Sequence, residues 1–240
     1  MGGTWGGVRD RVLALQKAPR WRGVFGADFH GHGHKFQLLP VLTEEQLRAV
    51  ERRLATELPE EYHTFLLEVG AGGAGPDYGL FPMTPSGPGA LPATGRCTLP
   101  FDPGLTAELD EHECAEPQRA DYPDDDAFAA AYTPWEARHE ELYDALTEGT
   151  LCIGSQGCAY YSLLVVTGPQ RGTMWDDVRA VGEGVVPVGR RGTTGPVSFA
   201  EWYLNWLDGA ERRAWDETSE PSPRPLFTSD RSLSGESGGP

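Results

Sequence analysis

The 240-residue chain lacks any apolar run long enough to span a bilayer, which argues against an integral membrane helix. Its first residues, Met1-Gly2-Gly3-Thr4-Trp5-Gly6-Gly7, contain no basic stretch followed by an apolar core, so no signal peptide is expected. Gly6 stands where N-myristoylation requires Ser or Thr. Cysteine is scarce, and Cys97, Cys114, Cys152 and Cys158 form no C-x-x-C pair. Thiols without that spacing read as small buried hydrophobes rather than ligands or a disulfide framework. A chain of this length buries about 70% of its unfolded surface and needs no metal or disulfide to fold. These absences point to the cytoplasm, where thiols stay reduced. No internal repeat is present.

Catalytic chemistry is thinly provided for. Carboxylates, six histidines and Asp176-Asp177 beside Trp175 are raw material, but they form no recognised nucleophile–base motif. Asp176-Asp177 reads most simply as a strand ending at a turn. No enzyme is expected, and no catalytic residue, metal ligand or cofactor is assigned. Three stretches still invite a ligand reading. His30, His32 and His34 alternate, so on an extended strand they would share one face and suit a metal. A polar turn leading into residues 36–42 explains them as well, and whether they bind a metal stays open. The glycine-rich stretch Gly70–Pro76 superficially resembles a phosphate loop, but it follows a helix instead of a strand and ends at a proline. Asp121–Asp126 offers carboxylates to calcium yet lacks the glycine and terminal glutamate of an EF-hand loop.

What the chain has in excess is negative charge, and it is concentrated. The formal net charge is −16. Between Asp102 and Glu148 fifteen Asp and Glu stand against Arg119 and Arg138 alone, a local balance of −13. Asp124, Asp125, Asp126, Glu136, Glu140 and Glu141 are the candidate partner-binding residues of this segment. One reading is a solvated insertion, about 104–148, that only adds solubility; the other is a docking face for a basic partner. Either way the charge repels phosphates, so direct binding of nucleic acid is not expected. Ala127–Leu146 can form helix, with Trp135, Leu142, Tyr143 and Leu146 partly buried and an interruption near Pro134.

Several elements are legible along the chain. Val8, Val12, Leu13 and Leu15 suggest a short first helix over 8–18. Thr43 and Gln46 match a capping box opening a helix whose buried face is Leu47, Val50, Leu54 and Leu58. Tyr62, Phe65, Leu66 and Val69 form one apolar stripe on the next, with Pro59 in its first turn and Gly70 as its left-handed stop. Residues 83–103 read as loop. Strands follow at 150–154 and 160–166, the latter the strongest in the chain, then a partner strand at 173–176 after a long turn. Val185–Val188 is a short strand whose proline belongs at an edge. Ser198 and Glu201 form a second capping box, opening a helix whose Phe199, Trp202, Tyr203, Trp206 and Leu207 are expected to be core. After Gly209 the pattern fades, and 210–240 is expected to be a disordered tail.

Three blocks carry a family resemblance. They are Leu58-Pro59-Glu60-Glu61-Tyr62 through Gly79-Leu80-Phe81, the stretch 149–177 with its Gly-x-x-Trp return strand, and 198–208. In this order they resemble the SUKH superfamily, which includes Smi/Knr-type cell-wall assembly regulators and bacterial immunity proteins. The resemblance spans roughly residues 20 to 208. It implies an α+β single domain, about 8–209, with a twisted, mainly antiparallel sheet flanked by helices. It also implies a non-enzymatic protein-binding role: an immunity protein occluding a basic, nuclease-type toxin, or alternatively a scaffold or regulator in envelope or signalling assembly. The expected partner is a protein, with neither nucleic acid nor membrane.

Overall fold

Leu163, Leu164 and Val165 form an unbroken apolar run. Successive strand residues point to opposite faces, so a strand of this composition must be covered on both sides. The computed structural model, which describes residues 3–85, 97–189 and 195–216, meets that demand with an α+β arrangement of helices on both faces of one sheet. In chain order the main elements are α1 (Val8–Ala14), α2 (Glu44–Leu54), α3 (Glu60–Glu68), α4 (Leu105–Cys114), α5 (Asp125–Ala145), β1 (Thr150–Gly157), β2 (Tyr160–Val165), β3 (Met174–Asp177), β4 (Val185–Pro187) and α6 (Phe199–Trp215). The sheet is an antiparallel meander in the order β1-β2-β3-β4. Pro187 lies on an edge strand, where its missing N–H costs no ladder bond.

On the first face, Leu151, Ile153, Leu164 and Met174 join a core built with α1, α2, α3 and α6. Its centre is aromatic. Phe65 meets Phe199 at 5.2 Å and Tyr203 at 4.7 Å between ring centroids, and Tyr62 meets Phe199 at 4.9 Å. Trp5 closes the cluster against Phe65 at 5.2 Å. Its Nε1 donates to Glu61 O and to Thr64 Oγ1, both at 3.0 Å. The Glu61 carboxylate in turn accepts the Ala200 N–H at 2.9 Å, which satisfies a free donor at the start of α6. Both expected capping boxes, Thr43 with Gln46 and Ser198 with Glu201, are formed. The last helix runs to Trp215 with Ala210 and Ala214 buried, beyond the Gly209 where the aromatic pattern stops, because alanine packing carries it on. The rest of the expected tail, from residue 217, lies outside the described residues, as does 86–96 of the expected loop.

On the second face, Leu163, Val165, Trp175 and Val185 pack with Phe101, Leu109 of α4, and Leu142 and Leu146 of α5 or just after it. The acidic segment is therefore a folded helical hairpin that supplies half of the sheet's cover. Pro134 does not interrupt α5, which runs through it for 21 residues. The proline removes one backbone bond, and packing on α4 offsets that loss. Trp135 Nε1 donates to His112 O at 3.0 Å, His112 Nε2 lies 3.0 Å from Trp135 O, and the two rings stack 5.2 Å apart.

The glycine-rich stretch extends the sheet rather than cradling a ligand. Gly73 and Leu80 exchange backbone bonds at 3.0 and 2.7 Å, Ala74 N–H donates to Gln37 O, and Phe81 N–H donates to Ile153 O. The Ala71, Gly73 and Ala74 amides are thus committed to neighbouring chain. Gly73 has φ 103°, and a Cβ there would lie 2.4 Å from Gln37 O, so only glycine allows the approach. Gly70 departs from its expected role: it is not left-handed. What it supplies is space, since a Cβ would meet Leu39 O at 3.0 Å.

Two of the cysteines depart from the buried expectation. Cys97 is buried, Cys152 half-buried, and Cys114 and Cys158 exposed. Cys114 ends α4 on its outer side, and Cys158 sits in the two-residue turn between β1 and β2, where Gly157 pairs with Tyr160. Cys158 and Ala159 both have positive φ, 54° and 61°, the mirror-image turn that favours Asn-Gly. The double substitution Cys158→Asn/Ala159→Gly is expected to raise stability by about 1 kcal/mol in denaturant titration, by relieving left-handed strain. Leu142→Ala is expected to lower it by about 3 kcal/mol. Hairpin and sheet should then still unfold in one transition, followed by far-UV circular dichroism and Trp fluorescence together.

Candidate partner-binding surface

The six carboxylates singled out from the sequence all lie at the start of α5 or along it, and all are exposed. They are not equivalent. Asp124 is the helix N-cap, its side chain accepting the Ala127 N–H at 2.8 Å. Asp125 pairs with Arg119 at 2.6 Å. With Asp126 it also occupies the first turn, where negative charge complements the helix dipole. The Asp124–Asp126 run is thus a helix start, which accounts for three consecutive aspartates without a cation. Glu141 shares Arg138 with Glu108 of α4, at 3.2 and 2.6 Å. Glu136 and Glu140 form no ion pair among the described residues, nor do Asp110 and Glu111 on α4. These carboxylates are part of the uncompensated charge of the segment.

The hairpin is held firmly to the sheet. Arg179 pairs with Asp177 at 2.8 Å through two nitrogens, with side chains 15% and 7% exposed. The same guanidinium lies 4.4 Å over the Tyr143 ring and donates to Tyr143 O, so one buried ion pair reaches from β3 to α5. At the other end the Thr106 hydroxyl both donates to Val185 O at 3.0 Å and accepts Val185 N–H at 3.2 Å, fastening α4 to the edge strand β4. Sequence reasoning missed a further feature of α5. Phe128, Tyr132, Trp135, His139 and Tyr143 form a continuous row with ring centroids 5.3 to 6.0 Å apart. Their i, i+4, i+7 spacing is visible in the sequence, but the proline divides it.

The remaining candidates disperse. Asp176 and Asp177 point to opposite faces of β3, and Trp175 packs on Phe101 at 4.8 Å in the second core. They build no shared site. Asp176 accepts from Gln156 Nε2, and burial, with the neighbouring Asp77 charge adding to it, pushes its carboxyl up to about 7. His30 and His32 are exposed at a tight turn, whereas His34 is buried. The chain bends at His30, Gly31 and Gly33, all of positive φ, so the three do not share a strand face. His34 Nδ1 accepts the Phe36 N–H at 3.1 Å, its Nε2 has no partner among the described residues, and burial lowers its pKa to about 4. Among the described residues no three His, Cys, Asp or Glu cluster as a metal would require. No helix among them is long and apolar enough to cross a membrane.

An open antiparallel sheet between helical layers, with the acidic hairpin as one layer, defines a single-domain α+β protein. The chain belongs to the SMI1 / KNR4 family (SUKH-1), whose model matches residues 41–181. That span runs from just before α2 to just after β3 and includes the whole hairpin. Members of this family are generally non-enzymatic immunity or regulator proteins, a role consistent with protein–protein interaction. Neither the curated proteins nor the solved structures contain a match to the chain.

The two buried titrating groups act on stability in opposite directions. Asp176 binds its proton more tightly folded than unfolded, so its contribution is present below about pH 4 and is lost as pH rises through about 7. His34 holds its proton less tightly folded, so its contribution is present above pH 6.5 and is lost as pH falls toward 4. Asp176→Asn is expected to stabilise the protein at pH 8 by on the order of 2 kcal/mol, discounted for partial exposure, and to be nearly neutral only at about pH 3, below the carboxyl's unfolded-state value. Urea titrations at the two pH values measure the difference.

Proposed function

We propose that this protein is a non-enzymatic binding protein that neutralises a basic, nuclease-type bacterial toxin domain by occlusion. The observation that carries this reading is the set of exposed, uncompensated carboxylates on α5 and α4, displayed on a hairpin that buried contacts fix to the sheet. A nuclease presents a basic groove to phosphates. A rigid acidic surface of matching sign can cover that groove, accelerate encounter and hold the substrate away. Family membership supports the protein-binding role, and the concentration of charge in one segment supports a basic partner over a neutral one. The alternative role in the family, a regulator or scaffold, fits the same fold. A secreted multidomain protein encoded beside this gene favours the immunity reading, and its absence favours the regulator.

The test uses the C-terminal domain of that neighbouring protein as the partner. Because Asp124, Asp125 and Glu141 have structural duties, the informative variant changes Asp126, Glu136 and Glu140. Asp126→Asn/Glu136→Lys/Glu140→Lys is expected to slow association at least ten-fold at low ionic strength and to flatten its salt dependence, by stopped-flow fluorescence. An unchanged association rate at low salt rules out the hairpin as the docking face.

A further inference from the structure

An aromatic row on a solvent-facing helix is unusual when the helix buries almost nothing else. Of the 21 residues of α5, Leu142 is the only one buried. The C-terminal turns seat Leu142 on the sheet, while the preceding turns pack against α4, where Trp135 stacks on His112, and against the 3₁₀ turn at Arg119–Asp121. Phe128, Tyr132, Trp135 and His139 are half-buried and Tyr143 is 37% exposed. At 1.5 Å per residue the row from Phe128 to Tyr143 is roughly 22 Å long. Glu136 and Glu140 stand exposed on the same helix.

The surface already shows what it holds. At the lower end of the row the Arg179 guanidinium lies 4.4 Å over the Tyr143 ring while pairing with Asp177. Ring face and carboxylate together suit a guanidinium, which is planar, stacks on aromatics and donates in a fork. An ammonium is a compact, strongly hydrated charge and gains far less from the ring. Higher on the row Trp135 is stacked on His112 of α4, but Glu136 follows Tyr132 by four residues on α5, the spacing that sets two side chains side by side on a helix, and the arginine of this helix, Arg138, is committed to Glu108 and Glu141.

We propose that the aromatic row of α5 is a docking surface for arginine side chains of a basic protein partner, selecting arginine over lysine at equal charge. This rests on the reading of the hairpin as a docking face and adds the chemistry by which that face chooses its partner. Charge complementarity sets the sign of the partner, and the rings set its residue type.

The test uses the full chain with two synthetic probes of equal length and charge, an alternating arginine–glycine peptide and the corresponding lysine–glycine peptide. Binding is followed at low salt by Trp fluorescence and isothermal titration. The arginine peptide is expected to bind about ten-fold more tightly. Tyr132→Leu, which keeps apolar bulk, should bring the arginine peptide down to the lysine value and leave the lysine peptide unchanged. Glu136→Gln/Glu140→Gln should weaken both equally. Phe128→Leu provides a second ring variant if Tyr132→Leu lowers the thermal midpoint. Equal affinity of the two peptides for the unaltered protein overturns the proposal, as does an arginine preference that survives both ring variants. Toxin capture and peptide preference are read separately: loss of the first with the second retained refutes the immunity reading alone, and the reverse refutes the arginine preference alone.

Discussion

A sheet that is apolar on both faces is the constraint from which the rest of this molecule follows. Leu163 and Val165 face one way, Leu164 and Met174 the other, and each face must be taken out of water. The helices α1, α2, α3 and α6 cover one face, leaving Trp175, Val185 and their neighbours to be covered by something else. The acidic segment supplies that cover through Leu109, Leu142 and Leu146. Its charge is therefore the outer surface of a structural layer, and removing the hairpin would expose a core. This explains how a stretch with a local balance of −13 can be folded: a narrow apolar line on each helix is enough, provided the sheet is already there to receive it.

The first core is organised by a second contact of long range, the aromatic packing between α3 and α6. Phe65 meets both Phe199 and Tyr203 edge to face, the arrangement their ring quadrupoles favour. Trp5 completes the cluster from the opposite end of the chain and hydrogen-bonds to α3. Tyr203 Oη donates to Ala74 O at 2.9 Å, tying α6 to the glycine-rich stretch. Trp5 and α6 both lie outside residues 41–181, the span that the family shares. The family span thus contains the sheet as far as β3, the hairpin, and the α2–α3 pair, while flanking segments of this chain close the core around it.

Local signals were legible in the sequence and distant ones were not. Both capping boxes could be read because donor and acceptor lie three residues apart. Burial of Phe199, Tyr203 and Leu207 could be read from helical spacing. The ladder through Gly73 could not, since its partners are Gln37 and Leu80 on separate stretches, and only the mutual approach of backbones explains the glycines. Trp5 sits among glycines with no periodicity to betray it. At the surface, the six carboxylates were found by charge alone. Charge counting cannot tell Asp124, which caps a helix, from Glu140, which is free to act on a partner. The opposite orientation of Asp176 and Asp177 follows from strand alternation, but the Gln156 contact depends on the β1–β2 register and its irregularities.

Division of labour among the carboxylates bears on what a binding surface of this kind can do. Carboxylates on a floppy segment attract a basic partner but must be ordered when it arrives, which costs conformational entropy at the interface. Here Asp124 and Asp125 hold the start of α5, Arg138 bridges the two helices, and the Asp177–Arg179 pair fixes the far end through Tyr143. Glu136 and Glu140 stand between these fixed points on a helix already formed. Their positions relative to the aromatic row are set before any partner arrives, so the entropy of placing them has been met in folding. The buried Asp177–Arg179 pair is costly to desolvate and adds little net stability compared with an apolar contact. Its value lies in geometry: it is the contact that turns an acidic segment into a surface of defined shape.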